Sequence, residues 1–378
     1  PFHAMDVLAK ATRKRLAGED IAFLCVGQPA APAPKAALDA ARLMLEGGVV
    51  SYTDAGGRLD LQTALSRHMQ SRYGVSVDPA RIFITTGSSA GFNLAFLTLF
   101  NPGDRVAIAA PGYPAYRNIM KALSLEVVEI PTGAETRYAL SPDLLRAEHA
   151  KGPLAGVLVA SPANPTGTMM TPDALRALIA YCDDAGIRFI SDEIYHGLAY
   201  TDETGIDEQT ALAFSDKAIV INSFSKYYCM TGWRIGWMVL PRGMVRPVER
   251  LAQSLYISAP ELSQVAAIGA LAASDELERV KHGYAKNRAL LLKRLPQMGF
   301  ANIMPVDGAF YAYADASPFT NDTMQFAHAL LDEAGVAATP GLDFDPANGH
   351  RMMRFSFAGA HDTMVQAMDR MEHFLRGR

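Results

Sequence analysis

The feature that most constrains the fold is a pattern repeated through the middle of the chain: a short apolar run, a polar or glycine-rich turn, and an amphipathic segment. The apolar runs are residues 81–85, 105–110, 154–160, 187–190 and 218–221. Runs that are apolar on both faces and separated by helical stretches are typical of strands in a parallel sheet covered by helices. The pattern therefore predicts an α/β fold with a mainly parallel sheet sandwiched by helices.

Two of the intervening helices are clearly marked. After the first run, apolar residues recur at helical spacing from residue 92 to residue 100. Farther along, Thr171 is suited to cap the start of a helix, Pro172 to occupy its first turn, and Gly186 to lie just past its end.

The last third of the chain has a different pattern. It contains helical stretches at 245–273, 275–295, 324–334 and 362–374, and short strand candidates at 310–313 and 352–357. This pattern predicts a second, smaller α+β domain formed by residues 1–35 and 278–378, beside a large domain of residues 36–277. The proline-rich residues 23–34 suit an extended connector between the two.

Composition excludes several classes of protein. The 378 residues carry a net charge of −4, which gives no electrostatic footprint for nucleic acid or an anionic membrane surface. No apolar run approaches the roughly 18 residues that a membrane helix needs. The three cysteines are scattered and the nine histidines show no ligand spacing, so we expect no metal site and a reducing, cytoplasmic location.

A polar cluster directly follows each apolar run. The clusters are residues 86–89, 111–113, 161–165, 191–195 and 223–226. Because the carboxyl ends of parallel strands form the ligand crevice of an open α/β sheet, we expect the clusters to converge on one site. Polar turns alone are also expected at strand ends. A lysine, an aspartate, an asparagine and a tyrosine divided among these turns instead indicate the parts of one cofactor site.

Lys226 is the most informative of these residues. It follows a predicted strand and the serines Ser223 and Ser225, and Arg234 comes eight residues later. Burial lowers the pKa of a lysine and leaves its amine nucleophilic enough to form a Schiff base with an aldehyde. The hydroxyls and the guanidinium suit a phosphate ester. The structural alternative is a lysine that merely caps a strand in solvent.

Three other residues have a chemical use in such a site. Asp192 can pair with a pyridinium nitrogen and so keep the ring an electron sink. Asn164 can donate to a phenolate oxygen, and the ring of Tyr113 can stack on an aromatic cofactor. Their structural alternatives are a solvated turn, a tight turn and a packed aromatic ring.

Two further positions suit anions. Residues 86–91 open a helix, where free N–H groups and the helix dipole favour a phosphate, although small polar residues also simply cap helices. Arg354 lies in an apolar alternating strand and needs an anionic partner there. That partner is either a substrate carboxylate held by two hydrogen bonds or an internal salt bridge.

Together these motifs resemble the class I and II aminotransferases, which are pyridoxal-phosphate enzymes of fold type I. The resemblance covers essentially the whole chain, from residues 26–29 to Arg354. Each motif alone is modest, but the ordered set is specific. It consists of Tyr113, Asn164-Pro165-x-Gly167, Asp192-x-x-Tyr195, Ser223-x-Ser225-Lys226, Gly232-x-Arg234 and Arg354-x-Ser356-Phe357.

The resemblance implies pyridoxal 5'-phosphate as the cofactor and a role for each matched residue. Lys226 would be the Schiff-base lysine and the general acid/base of the proton transfer. Asp192 would pair with the pyridine nitrogen, Asn164 and Tyr195 would bond the 3-oxygen, and Tyr113 would stack on the ring. Lys226, Asp192 and Tyr195 form the predicted catalytic set.

The resemblance also implies how phosphate and substrate are held. The predicted phosphate ligands are Ser88, Ser89, Ala90, Ser223, Ser225 and Arg234. Arg354 would clamp the substrate α-carboxylate, with Asn164 beside it and the backbone near Gly27 closing over it. Tyr52 resembles the tyrosine that reaches the neighbouring subunit's phosphate, which implies a homodimer with shared sites. Many aspartate-type relatives have a lysine where Ser89 stands, so its absence weakens the expectation of dicarboxylate specificity.

The implied function is an L-amino acid:2-oxoacid aminotransferase with a ping-pong mechanism and 2-oxoglutarate as an expected acceptor. A pyridoxal-phosphate-dependent β-eliminating lyase or cyclising synthase shares Lys226, Asp192 and Arg354 and is the alternative. A non-catalytic effector-binding module is a more distant alternative. Such a module carries an additional N-terminal DNA-binding domain, whereas the family motif here begins already at Val26.

Overall fold

A seven-stranded sheet lies at the centre of the protein, which the computed structural model describes for residues 3–376. The strands in these residues are β1 (Ala22–Phe23), β2 (Ile82–Thr85), β3 (Arg105–Ala110), β4 (Glu126–Pro131), β5 (Gly156–Ala160), β6 (Arg188–Asp192), β7 (Ile219–Ser223), β8 (Gly236–Val239), β9 (Tyr311–Asp315), β10 (Val336–Ala337), β11 (Thr339–Pro340) and β12 (Met352–Ser356). The α-helices of the same residues are α1 (His3–Leu16), α2 (Lys35–Glu46), α3 (Leu59–Tyr73), α4 (Gly87–Leu99), α5 (Pro114–Ala122), α6 (Pro142–Lys151), α7 (Pro172–Ala185), α8 (Thr201–Thr204), α9 (Arg242–Leu255), α10 (Glu261–Leu271), α11 (Ser274–Met298), α12 (Thr323–Ala334) and α13 (His361–Arg376).

The large sheet has the strand order β2-β8-β7-β6-β5-β3-β4. Strands β4, β3, β5, β6 and β7 pair in parallel, and β8 pairs antiparallel with β7 and β2. The predicted mainly parallel sheet is therefore confirmed, and each of the five apolar runs overlaps one of its strands, although β6 and β7 extend two residues past the predicted ends. Two strands of this sheet were not predicted. β4 is an edge strand whose exposed Glu126 interrupts the apolar pattern. β8 departs from the pattern of parallel strands separated by helices, because it pairs antiparallel with its neighbours β2 and β7.

Both faces of this sheet are covered by apolar side chains. On β3, Val106 and Ile108 belong to one core cluster with α4 and α5, whereas Ala107 belongs to the cluster on the opposite face. On β5, Leu158 and Val157 divide between the same two clusters. This double burial explains why the strands read as continuous apolar runs rather than as an alternating pattern.

The caps predicted for α7 are confirmed. The Thr171 hydroxyl accepts a hydrogen bond from the Ala174 N–H at 3.3 Å, and Pro172 occupies the first turn. Gly186 follows the helix with a φ of +71°, which glycine adopts without steric cost. The helix predicted over 245–273 is wrong as a single element. It is divided into α9 and α10 just before Glu261, where Pro260 disfavours helical geometry in the residue before it.

A smaller sheet and a strand pair accompany the large sheet. Strands β11, β12 and β9 form an antiparallel sheet, and β1 from the N-terminal segment pairs in parallel with β10. We propose that this region corresponds to the small domain of residues 1–35 and 278–378, and the large sheet to the domain of residues 36–277. The boundary after residue 277 falls inside α11, so one continuous helix spans both regions. In residues 3–376, no helix is both long and apolar enough to cross a membrane.

Candidate active site

A cavity of about 320 Å³ lies where the parallel strands end. Turns after β2, β3, β5, β6 and β7 contribute to its wall, and the N-terminal segment and β12 close it from the smaller region. The predicted residues that line it are Gly27, Ser88, Ser89, Tyr113, Asn164, Asp192, Tyr195, Ser225, Lys226, Arg234 and Arg354. The convergence expected from the strand-end clusters is therefore present in the fold.

Three predicted site residues do not line this cavity. Ala90 is buried in α4. The Ser223 hydroxyl bonds the Ser225 hydroxyl at 2.8 Å and donates to the Ile235 carbonyl, so it acts on the cavity only by orienting Ser225. Tyr52 is 80% exposed and lies outside the cavity of its own chain.

Lys226 follows β7 and extends into the cavity. Its Nζ donates to the Gly27 carbonyl at 2.6 Å. The pKa of Lys226 is lowered to about 8, chiefly by loss of solvation and also by the nearby guanidinium groups of Arg354 and Arg234, whereas Asp192 opposes the shift. Because the lowered pKa is close to neutrality, a substantial share of the amine is uncharged and nucleophilic.

Asp192 ends β6 and is only 2% exposed. Its Oδ1 accepts a hydrogen bond from the Ile194 N–H at 3.0 Å, and its Oδ2 accepts one from the Tyr116 hydroxyl. Burial raises the pKa of Asp192 to about 6, and these two hydrogen bonds oppose the rise. Within residues 3–376 the carboxylate forms no ion pair, so it can accept a cationic ring nitrogen from a ligand.

The start of α4 and Arg234 form an anion-binding end of the cavity. Ser88 and Ser89 lie in the first turn of the helix, where backbone N–H groups lack helical partners. Arg234 has left-handed backbone geometry with a φ of +49°, and its Nη1 donates to the Thr231 carbonyl at 3.0 Å. At Gly87, with a φ of +73°, a Cβ would collide with this guanidinium. The glycine therefore allows Arg234 to approach the helix start.

Arg354 is a buried arginine that has no carboxylate partner within residues 3–376. It is 5% exposed and donates to Asn164 Oδ1 at 2.9 Å and to the Cys25 carbonyl at 3.0 Å. Its buried Nε has no hydrogen-bond partner. The internal salt bridge that the sequence left open does not occur in the described part of the chain. A buried cation in this state suits a ligand carboxylate.

Two aromatic pairs shape the rest of the cavity. The hydroxyls of Tyr195 and Tyr311 are 2.8 Å apart, and a Cβ at Gly27 would collide with the Tyr311 hydroxyl. The rings of Tyr113 and Tyr116 meet edge to face with centroids 5.4 Å apart. Both tyrosines line the cavity.

Several residues of the cavity were not predicted from the sequence. Tyr116 lies three positions after Tyr113, the spacing that places two residues on one helix face, and this was an available signal. Tyr311 follows from the pairing of β9 with β12, which the sequence does not specify. Helix α1 contributes Met5 and Leu8, and its first N–H groups are capped by the remote carboxylate of Asp343. No local pattern indicated that contact.

Across residues 3–376, no group of three or more His, Cys, Asp or Glu side chains is placed to hold a metal ion. The three cysteines are all buried and free.

Comparison with known proteins agrees with this geometry. The family model described as aminotransferase class I and II matches residues 19–371. The chain is 47% identical over 380 residues to a valine–pyruvate aminotransferase of Mycobacterium tuberculosis, covering 99% of this chain and 96% of the relative. It is 32% identical to an aspartate/prephenate aminotransferase of Thermus thermophilus, covering 99% and 96%.

Solved structures give the same result. A crystal structure of an aminotransferase from Mycobacterium tuberculosis superimposes with a TM-score of 0.97 at 45% identity, covering 100% of this chain and 97% of that one. The aspartate aminotransferase of Thermus thermophilus with maleate gives a TM-score of 0.90 at 30% identity, covering 99% and 97%. The family match, the relatives and the fold all lead to one assignment. The chain belongs to the class I and II aminotransferases, which use pyridoxal 5'-phosphate.

Proposed function

We propose that the chain transfers an amino group from an L-amino acid to a 2-oxoacid in a ping-pong cycle at the cavity around Lys226. The observation that carries this proposal is a nucleophilic lysine beside a buried arginine without a carboxylate partner. Pyridoxal 5'-phosphate, when bound, supplies an electrophilic carbon and an electron-withdrawing ring. The side chains around the cavity then bind, orient and move protons.

Lys226 is the proposed site of covalent attachment and the proposed proton carrier. With a pKa of about 8, about a tenth of its amine is neutral at pH 7, far more than for an ordinary lysine. When a substrate amine takes the place of Lys226, the released Nζ would be free to accept a proton from the substrate Cα and to donate that proton again later in the amino transfer. The Gly27 carbonyl, 2.6 Å away, orients the amine.

The remaining cavity residues are proposed to hold the cofactor. Asp192 would keep the ring nitrogen protonated, because a buried carboxylate without an ion pair stabilises a facing cation. Asn164 and Tyr195 are proposed to bond the 3-oxygen, and Tyr113 to stack on the ring. The phosphate ligands are proposed to be Ser88, Ser89, the backbone at Ala90, Ser225 oriented by Ser223, and Arg234.

Arg354 is proposed to bind the substrate carboxylate, with Asn164 and the backbone at Gly27 beside it. The Nη1 and Nη2 atoms are already oriented by Asn164 and Cys25, so little conformational entropy is lost on binding. The unpartnered Nε supports this role, because a buried donor without a partner is unfavourable and a hydrogen bond from a ligand would remove that cost.

The side-chain end of the cavity supports apolar donors and monocarboxylic acceptors. Among the described lining residues the Lys and Arg side chains are Lys226, Arg234 and Arg354, which are already proposed to bind the cofactor aldehyde, the phosphate and the α-carboxylate. Met5 and Leu8 of α1 supply apolar wall instead. We therefore propose pyruvate, the acceptor in the name of the Mycobacterium tuberculosis relative, ahead of 2-oxoglutarate. 2-Oxoglutarate would require a further cation from a second subunit.

A homodimer in the cytoplasm is the proposed working form. Large apolar side chains are exposed along 43–59 and at 255–257, namely Leu43, Leu45, Val49, Val50, Tyr52, Leu59, Leu255 and Ile257. The two stretches are neighbours, because the Thr53 N–H lies 3.4 Å from the Ser258 hydroxyl and the Arg58 N–H donates to Gln264. Exposed apolar surface of this extent supports a partner subunit, with Tyr52 reaching that subunit's site.

A half-reaction experiment tests the proposed function. The enzyme loaded with pyridoxal phosphate is mixed with valine, and conversion to the pyridoxamine form is followed by absorbance. Pyruvate or 2-oxoglutarate is then added, and alanine or glutamate is measured. We expect conversion with valine and faster recovery with pyruvate. Failure of every amino acid to convert the cofactor would contradict transamination, and release of ammonia without amino transfer would favour a lyase.

Mixed dimers test the shared site. Neither Lys226→Ala nor Tyr52→Ala homodimers should reach wild-type activity. A mixed dimer contains one site with both native residues if Tyr52 acts across the interface, so the purified mixed dimer should have about half of the wild-type activity. A randomly reassociated equal mixture, in which about half of the dimers are mixed, should have about a quarter. If each subunit uses its own Tyr52, mixing restores nothing.

A further inference from the structure

Tyr116 contacts the buried carboxylate at the base of the cavity. It is 5% exposed, and its hydroxyl donates to Oδ2 of Asp192, while Oδ1 is occupied by the Ile194 N–H. The family motifs in the sequence do not include this tyrosine. Its hydroxyl is the side-chain group, within residues 3–376, that hydrogen-bonds Asp192.

The ring of Tyr116 is fixed on both sides. It meets the Phe92 ring at 5.2 Å and the Tyr113 ring at 5.4 Å, both edge to face. Tyr113 precedes α5 and Tyr116 lies in its first turn, so one helix start presents both rings to the cavity. The hydroxyl therefore cannot leave Asp192 without repacking two aromatic contacts.

Resting on the proposed function, we propose that Tyr116 is a positioning residue that holds the Asp192 carboxylate ionised and oriented for the cofactor's ring nitrogen. A hydrogen bond donated to a carboxylate stabilises its charged form and does not stabilise the protonated form equally. Asp192 needs this help because burial acts in the opposite direction. Tyr116 is thus expected to decide how much of the enzyme is ready to accept the cofactor near neutral pH.

The charges around Asp192 favour this role for Tyr116. Glu193, on the same segment, disfavours ionisation of Asp192, whereas His196 favours it. Lys226 faces Asp192 from the turn after β7. Among the interactions that lower the pKa of Asp192 against the effect of burial, the Tyr116 hydrogen bond is the largest, ahead of the Ile194 N–H and His196.

The pKa of Asp192 determines how the cofactor affinity of a variant without the Tyr116 hydroxyl changes with pH. The pKa of Asp192 is raised by burial to about 6, and removal of the Tyr116 hydroxyl raises it further. In the cofactor-free enzyme, the variant then holds a proton on Asp192 at a pH where the wild type has lost it. Binding of the protonated ring nitrogen must expel that proton, so the variant's affinity is lowest at acidic pH and recovers as pH rises.

The test compares Tyr116→Phe with Tyr200→Phe. Tyr200 is a matched control because its buried hydroxyl donates to the Ala309 carbonyl at 2.7 Å, away from Asp192. Dissociation constants for pyridoxal phosphate are measured by tryptophan fluorescence from about pH 6.5 to about pH 8.5. We expect Tyr116→Phe to weaken binding about tenfold at the acidic end, the size of a lost hydrogen bond to a charged group, with the deficit shrinking at the alkaline end. Tyr200→Phe should follow the wild type.

A second measurement does not depend on the cofactor. The infrared band of a protonated carboxyl group is followed against pH in the cofactor-free wild type, Tyr116→Phe and Asp192→Asn. We expect the band to persist to higher pH in Tyr116→Phe and to be missing in Asp192→Asn. A deficit that does not vary with pH, or an unchanged infrared titration, would overturn the role of Tyr116. A wild type that does not bind pyridoxal phosphate at all would overturn the proposed function itself.

Discussion

Replacing Asp192 by asparagine should make the cofactor-free protein more stable while making it a poorer enzyme. The wild-type carboxylate is buried and has no ion pair among the described residues 3–376, and its pKa is raised from 3.8 to about 6. A difference of this size between the unfolded and folded states corresponds to about 3 kcal/mol of lost stability once the group is ionised. Asparagine has nearly the same shape and no charge to bury.

The sign of the pH dependence follows from the raised pKa. Below the unfolded pKa of 3.8, Asp192 is protonated in both states and costs nothing. As pH rises through about 6, Asp192 also loses its proton in the folded protein, and the buried charge then lowers the stability by the full amount. We therefore expect Asp192→Asn to exceed the wild type by about 2–3 kcal/mol at pH 8 and by little near pH 4.

Urea unfolding of the cofactor-free protein at these two pH values measures the difference. Protomer concentration is kept equal, because the stability of a dimer depends on it. Asp202→Asn is the control, since Asp202 is exposed and its loss should stay within about 0.5 kcal/mol at both pH values. If Asp192→Asn were destabilising at pH 8, the assignment of Asp192 as a buried carboxylate that lowers stability when ionised would be refuted.

Three further predictions concern other parts of the site. Gly87→Ala should cost about 1–3 kcal/mol of stability in urea unfolding because of its φ of +73°, and should weaken pyridoxal phosphate binding, because its Cβ would displace the Arg234 guanidinium. Gly18→Ala, with a φ of +94° and open space around it, should cost a similar amount of stability without changing cofactor affinity, and equal effects of the two substitutions on cofactor affinity would contradict the steric argument. Arg354→Lys should raise the KM for the amino donor about 10–100-fold in steady-state kinetics, since lysine cannot form a bidentate contact with a carboxylate. Cofactor affinity, measured by fluorescence titration, should be unchanged. An unchanged KM would argue against carboxylate binding by Arg354. Because the pKa of Lys226 is lowered to about 8, the rate at which pyridoxal phosphate attaches to the cofactor-free enzyme should rise with pH through about 8 and then level off, and a rise that continues toward the ordinary lysine pKa of 10.5 would contradict the desolvation of the amine.

The sheet was predictable because burial on both faces produces unbroken apolar runs. Each of the five predicted runs overlaps a strand, and the cap residues of α7 lie where local chemistry requires them. Strand β4 was missed because an edge strand tolerates charged residues such as Glu126 on its exposed positions, and these interrupt the apolar run that marked the other strands. The break between α9 and α10 was missed although Pro260 marked it.

The cavity was predictable in part for the same reason. Parallel strands align their carboxyl ends, so Lys226, Asp192 and Asn164 could be assigned to one site before their contacts were known. Contacts between distant segments could not be derived in this way. Tyr311 reaches Tyr195 through the pairing of β9 with β12, and α1 is held against the cavity by a cap from Asp343. Neither depends on a local pattern.

Chemical trapping of the cofactor on one lysine tests the central claim most directly. The purified protein is incubated with pyridoxal phosphate, reduced with borohydride, digested and mapped by mass spectrometry. The account predicts a stable phosphopyridoxyl label on Lys226 and no label at that peptide in Lys226→Ala. A protein that takes up no label, or that carries it on a different lysine while still transferring amino groups, would contradict it.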